Sequence, residues 1–590
     1  MRIERHQVGE AAVAAAREDF VNRIGSMVRS MSRGGRMATY EWQTISEELL
    51  DYLGALSVER PGLDTPEARA VLKDAAEAAA GAVSFAAYYA YDSFHVFLDY
   101  VNFGMSYDRD GDPADRESVT LHEWLDAFCL AVIDGDTARH GEAFHFARQK
   151  DQAEHAGRPA AELVGGFMAY VCGDLNDDDQ DFPPSQEQKL AAGDAGLARI
   201  AALARETGQA LADHPDSTAL RALRALAAGD REAYDAELVR LLRHHADQTG
   251  SWARNQPRTL LPLVPIAVAA LGHRDHGWWP PTDTDYLPYA LLTGFAKPGP
   301  RVGAFGRDRR PDAVAELAGG RTVEFERPLA PQPLTPEGEA GFEEGTRRAF
   351  TPQDGEGLSS WRLASSLQYQ EILFKTRATH GPDVTDTQLR GLHLASALGA
   401  ALFRTTLVEE GTQTEVAIEG RTLVYPAYSG HRAGLAQWLT ATHLALITGV
   451  REDLAPLVLA GPTRLQEGAP VYSAYCRALH AYLRGEAAEE AAEEAVRAGE
   501  ESAAGGFLPP PVVLLSQLVD GDEESFNLAL LDALEAHRDH YSVADRAEDC
   551  DAALDLGALA LACHARRRGW NVRVASPYLP ARLLREAAPL

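Results

Sequence analysis

The sequence predicts a mostly α-helical protein made of two tandem homologous domains, related as a pseudo-dimer within one chain. Three observations predict it: an internal repeat, apolar residues at 3.6-residue spacing, and a proline-rich join. The repeat is clearest late in each copy. Tyr286-Leu287-Pro288 returns 292 positions on as Tyr578-Leu579-Pro580. The same offset carries Gly277-Trp278 onto Gly569-Trp570, Gly229-Asp230 onto Gly521-Asp522, Glu232 onto Glu524, Tyr234 onto Phe526 and His245 onto His537. Upstream the offset changes. Trp124-Leu125 matches Trp438-Leu439 at 314, and Ala169-Tyr170 matches Ala481-Tyr482 at 312. Trp42 and Trp361, 319 apart, make a weaker third pair. Repeats of 20–50 residues build solenoids, so a period of about 300 means two whole domains.

The elements follow in order. Leu121, Trp124, Leu125, Phe128 and Val132 recur at helical spacing, and Gly135 then fits a helix C-terminus. The alanine-rich stretches 197–211 and 219–228 favour helix intrinsically. From Lys297 to Gly357 the chain is dense in proline, which blocks long helices, so this stretch reads as a linker. Within it, Thr322–Glu326 alternates like one short strand. The first domain is then 1–296, the linker 297–357 and the second domain 358–590. In the second copy, Glu415–Ile418 and Arg421–Tyr425 flank Glu419-Gly420, a hairpin signal ahead of the Trp438 helix. Val101–Tyr107 is a degraded counterpart in the first copy. Asp522 before Glu523, Glu524 and Ser525 fits an N-cap.

Composition narrows the function. The chain has 590 residues, 45% hydrophobic and 24% charged, as in ordinary globular proteins. No apolar run approaches the ~20 residues that span a bilayer, so no membrane role is expected. The net charge of −31 repels phosphate backbones, which argues against nucleic acid and suits a basic partner. The five cysteines are widely spaced with no CxxC, and Cys129 and Cys172 read as small buried hydrophobes. The N-terminus lacks the features of a signal peptide, so the expected compartment is the cytoplasm.

From the Thr414-Glu415-Val416 segment, through Trp438 and Gly521-Asp522, to Tyr578-Leu579-Pro580, the second copy resembles the immunity protein 49 family of bacterial polymorphic toxin systems. The resemblance implies a helical protein that binds and neutralises a cognate toxin. It supplies no catalytic motif. Here the family pattern occurs as two diverged copies, which leaves room for a role beyond one toxin.

Chemistry-bearing motifs are sparse. Asp108-Arg109-Asp110-Gly111-Asp112 starts like a calcium loop, but Pro113 and Val119 fall where an EF-hand needs Gly and Glu. His273-Arg274-Asp275-His276 and His537-Arg538-Asp539-His540 are not in register, so both read as solvated helix ends rather than metal ligands. No nucleophile elbow, Walker loop or Rossmann fingerprint is present, and Gly165-Gly166 reads as a packing point. No catalytic residue, cofactor or metal is therefore expected. The acidic clusters are the candidate partner surface: Asp177, Asp178 and Asp179 after the Tyr170 helix, and Glu489, Glu490, Glu493 and Glu494 after the Tyr482 helix. The alternatives are a cofactor-free enzyme of secondary metabolism with a pocket in or between the domains, and a non-catalytic helical scaffold.

Overall fold

The computed structural model describes residues 2–587, apart from 110–111, 113–116, 149–154, 174–183, 249–250, 296–310, 328–330, 332, 353–356, 382, 429–432, 463–468 and 504–507. The chain divides into two compact helical units, Met1–Ala296 and Lys297–Leu590.

Each unit opens its body with a helical hairpin. In the first, Thr39–Glu59 packs on Pro66–Tyr88; in the second, Trp361–Arg377 packs on Asp386–Thr406. Thr65 and Thr385 start the second helix of each pair, their hydroxyls accepting the amides of Ala68 and Gln388. An antiparallel two-stranded hairpin follows in both. In the second unit Gln413–Ile418 pairs with Arg421–Pro426 around Glu419-Gly420, as the sequence predicts. Both turn residues have positive φ, the conformation a tight two-residue hairpin requires. In the first unit Phe103–Tyr107 is a strand, and its partner is Phe94–Leu98, which the sequence reading did not identify. Its turn is held by a buried acid: the Asp74 carboxyl accepts the amides of Asp99 (2.7 Å) and Val101 (3.1 Å).

The repeated aromatics have repeated surroundings. The Trp124 indole donates to the Phe144 carbonyl and that of Trp438 to the Leu457 carbonyl, each at 3.0 Å. Trp278 lies 5.4 Å from the Tyr234 ring, and Trp570 lies 5.4 Å from Phe526. Tyr286 meets His245 edge-on at 5.1 Å, as Tyr578 meets His537. Arg274 caps the carbonyls of Val132 and Ile133, and Arg567 those of Leu446 and Ile447. These pairs are one packing solution used twice.

Three expectations need correction. Trp42 is fully buried and donates to the Tyr107 hydroxyl at 2.8 Å, whereas Trp361 is 58% exposed at a helix start, so they are not equivalent. His537 is no solvated helix end; it is 3% exposed among Tyr541 and Tyr578. The segment read as a linker is, in its described parts, a piece of the second unit. Helices Pro311–Ala318 and Pro336–Arg347 lie within it, and Ala313, Leu317, Val323, Phe325 and Ala349 join the second unit's core. Val323–Glu324 pairs in parallel with Val574–Ala575. The first unit repeats this closure, where the Ile3 amide donates to the Asp283 carbonyl at 3.0 Å. Proline shortens these elements without excluding them, because Pro336 sits at the first helical position, where no amide is needed.

Candidate partner-binding surface

Glu489–Ala503 forms a helix because alanine and glutamate are strong helix formers and its first-turn carboxylates favour the positive end of the dipole. Its apolar face is narrow: Ala488, Ala492, Ala495 and Val496 are buried. Gly499 lets it approach the next helix, since a Cβ there would lie 2.8 Å from Val512 Cγ2. The opposite face presents Glu489, Glu490, Glu493 and Glu494, all exposed. Glu494 accepts from Arg477 at 2.7 Å, but both side chains are about half exposed, so the pair adds little stability.

The fold adds two carboxylates that the sequence reading did not place here. Helix Val512–Asp520 ends at Asp520, whose carboxyl is pushed up by burial and then by the charges of Asp522, Glu489 and Glu493. Asp522 meanwhile caps helix Glu523–Tyr541, accepting the Glu524 and Ser525 amides at 3.1 Å. That cap is the role the sequence assigned it; its share in the acidic surface follows only from the packing of the two helices. Glu489, Glu493, Asp520 and Asp522 thus share one negative field. Asp177, Asp178 and Asp179 lie outside the described residues.

Other features are structural. Gly166 is the packing point expected, since a Cβ would fall 2.4 Å from Leu220 Cδ1. Cys129, Cys172, Cys476 and Cys563 are buried thiols pushed up by burial. Asp549, Cys550 and Asp551 stand close enough to share a cation. A cation already sits there: the buried Lys375 ammonium donates to Asp551 and to Glu371, the latter at 2.5 Å. A cavity of about 120 Å³ is bounded by His393, Thr448, Arg567 and Glu586. Substrate pockets usually exceed ~300 Å³.

Among family models, immunity protein 49 matches residues 61–291 and again 382–583. No curated protein and no solved structure matches the chain. The two matched stretches contain the paired tryptophans and both hairpins, so each copy carries the pattern in its own right. The chain therefore belongs to the immunity protein 49 family, which it represents twice in tandem.

Proposed function

We propose that this protein is an immunity protein that neutralises a cognate bacterial toxin by binding it directly in the cytoplasm. Family membership in both copies carries the reading. The partner is a basic protein, and it is met by the exposed face of Glu489, Glu490, Glu493 and Glu494 together with Asp520 and Asp522. The acidic run at Asp177, Asp178 and Asp179 is the second place of contact. Opposite fields accelerate encounter by ~10–10³-fold and select partners of the right sign.

The test is co-expression with the toxin encoded beside the gene, followed by association kinetics with the purified pair. The protein should restore growth. Replacing Glu489, Glu490, Glu493 and Glu494 by Gln should slow association at low salt, and the defect should shrink as salt rises. Failure to restore growth, with no complex formed, overturns the immunity reading. Rescue with unchanged low-salt rates overturns only the acidic surface.

A further inference from the structure

The duplication provides its own control for finding added chemistry. Where one copy carries a large or charged group and the other does without it at the matching position, the fold does not need that group. In the first copy, the loop between helix Leu263–His276 and helix Tyr289–Thr293 has this property. Its framework is shared: Trp278 and Tyr286 match Trp570 and Tyr578 in sequence and in surroundings. Around these anchors the copies differ. Trp279, Asp283, Asp285 and Tyr289 stand where the second copy has Asn571, Ala575, Pro577 and Ala581.

Trp279 and Tyr289 stack with their ring centroids 5.4 Å apart and their planes 12° from parallel. His273, on the preceding helix, meets the same indole at 4.3 Å. The rings hold one another in place, yet Trp279 stays 43% exposed and Tyr289 44%. Single exposed aromatics are ordinary, but two in contact make a contiguous apolar patch that marks an interaction surface. Fixed before binding, they lose little rotamer freedom when a partner covers them. Charge selects that partner. Asp283 and Asp285 lie in the chain between the two rings, and both reach solvent. Arg2 bonds to both and to Glu4, so one cation meets three carboxylates and negative charge is left over. Arg274 does not offset it, because its guanidinium is turned onto the carbonyls of Val132 and Ile133. Ring faces carry partial negative charge as well, so a cationic side chain gains from the rings and the carboxylates together.

We infer that the Trp279–Tyr289 pair is an anchor for the toxin, taking an arginine or lysine side chain of its basic surface, with Asp283 and Asp285 as counter-charge. The inference rests on the reading of the protein as a toxin-binding immunity protein, and deepens it by giving the first unit a contact of its own. Tryptophan and tyrosine concentrate binding energy at interfaces, whereas exposed carboxylates act mainly on encounter. The aromatic pair therefore governs how long the complex lasts, and the face of Glu489, Glu490, Glu493 and Glu494 governs how fast it forms.

The experiment uses the full chain and the purified toxin encoded beside the gene. Binding of the unaltered protein is measured first; if no complex forms, the immunity reading fails and the anchor falls with it. Trp279→Asn and Tyr289→Ala each introduce the residue type that the second copy carries, so both variants should melt within a degree or two of the unaltered protein. Each should speed dissociation about tenfold or more and leave association nearly unchanged, at low and high salt alike. Alanine substitutions of the toxin's arginines and lysines, combined with Trp279→Asn in double-mutant cycles, should reveal a basic residue whose effect disappears in the variant. A complex whose dissociation is unchanged by Trp279→Asn and Tyr289→Ala overturns the anchor and leaves the immunity reading standing. Coupling of Trp279 to apolar toxin side chains alone overturns the cationic occupant.

Discussion

The two copies keep their aromatic framework and exchange their polar chemistry. The corresponding short turns Pro257–Leu260 and Cys550–Ala553 show how. In the first copy the turn supplies the cation: Arg258 donates to Asp51 through its guanidinium at 2.5 Å and its own amide at 2.8 Å. In the second the turn supplies an acid, Asp551, and the cation comes from the facing helix as Lys375, with Glu371 below it. The pairing is preserved while its charges change sides. Apolar packing therefore constrains this fold more tightly than any particular ion pair, and polar positions are where the copies have diverged.

The largest effect should come from breaking what the copies share. Trp124→Ala and Trp438→Ala each remove a buried indole and its hydrogen bond, and each should cost about 3–5 kcal/mol in denaturant melts. Near-native stability of either variant would show that the repeated tryptophans are not equivalent core residues. The ion pairs should separate the copies. Lys375→Ala leaves Glu371 and Asp551 facing each other around a buried space and should cost about 3 kcal/mol or more. Arg258→Ala should cost less, about 1–2 kcal/mol, because Asp51 keeps the Arg258 amide. Equal losses would mean that the exchange of charges has no energetic consequence.

Acid should also distinguish them. In the second copy burial holds His443 down at about 3, and His540 and His564 at about 4. These rings stay neutral when folded but take a proton near 6.5 when unfolded. Their contribution is present above 6.5 and is lost as pH falls towards 4. In the first copy burial also holds His6 down at about 4 and pushes His245 down, but it raises Asp74 to about 8, outweighing the amides it accepts. Its protonated form stabilises the fold at low pH, and that contribution is lost as pH rises from about 4 through 8. Hydrogen exchange at pH 7 and pH 5 should therefore show greater loss of protection in helices of the second unit than of the first. The smallest effect is on the surface. Gln in place of Glu489, Glu490, Glu493 and Glu494 should move the melting temperature by no more than a degree or two, since exposed charges add little to folding. A large shift would make that helix face structural.

Much of the fold was legible because packing repeats in register. Trp124 with Trp438, Tyr286 with Tyr578, and the Glu419-Gly420 hairpin were all readable from spacing and turn chemistry. The Phe94–Leu98 strand was not. Its turn has no glycine, and it is fixed by Asp74, an acid buried in a helix more than twenty residues earlier. The segment 297–357 was misread because proline density looks the same in a linker and in short capped elements. For the partner surface, Glu489 to Glu494 showed as a charge run, whereas Asp520 joins it only through helix packing.

The parallel closures at Ile3–Asp283 and Val323–Val574 have a consequence for synthesis on the ribosome. Each unit joins its opening segment to one that emerges some 250 to 280 residues later. A nascent copy can form its helical hairpins early, but its seam stays open until all but about the last twentieth of its own length is out. Loop closure over such a span comes late in folding. The first copy, however, completes its seam at Asp283, before the second copy's opening strand at Val323 has been made. That order of emergence keeps the two opening strands from competing for one closing strand, which is the misassembly that tandem repeats of one fold are prone to.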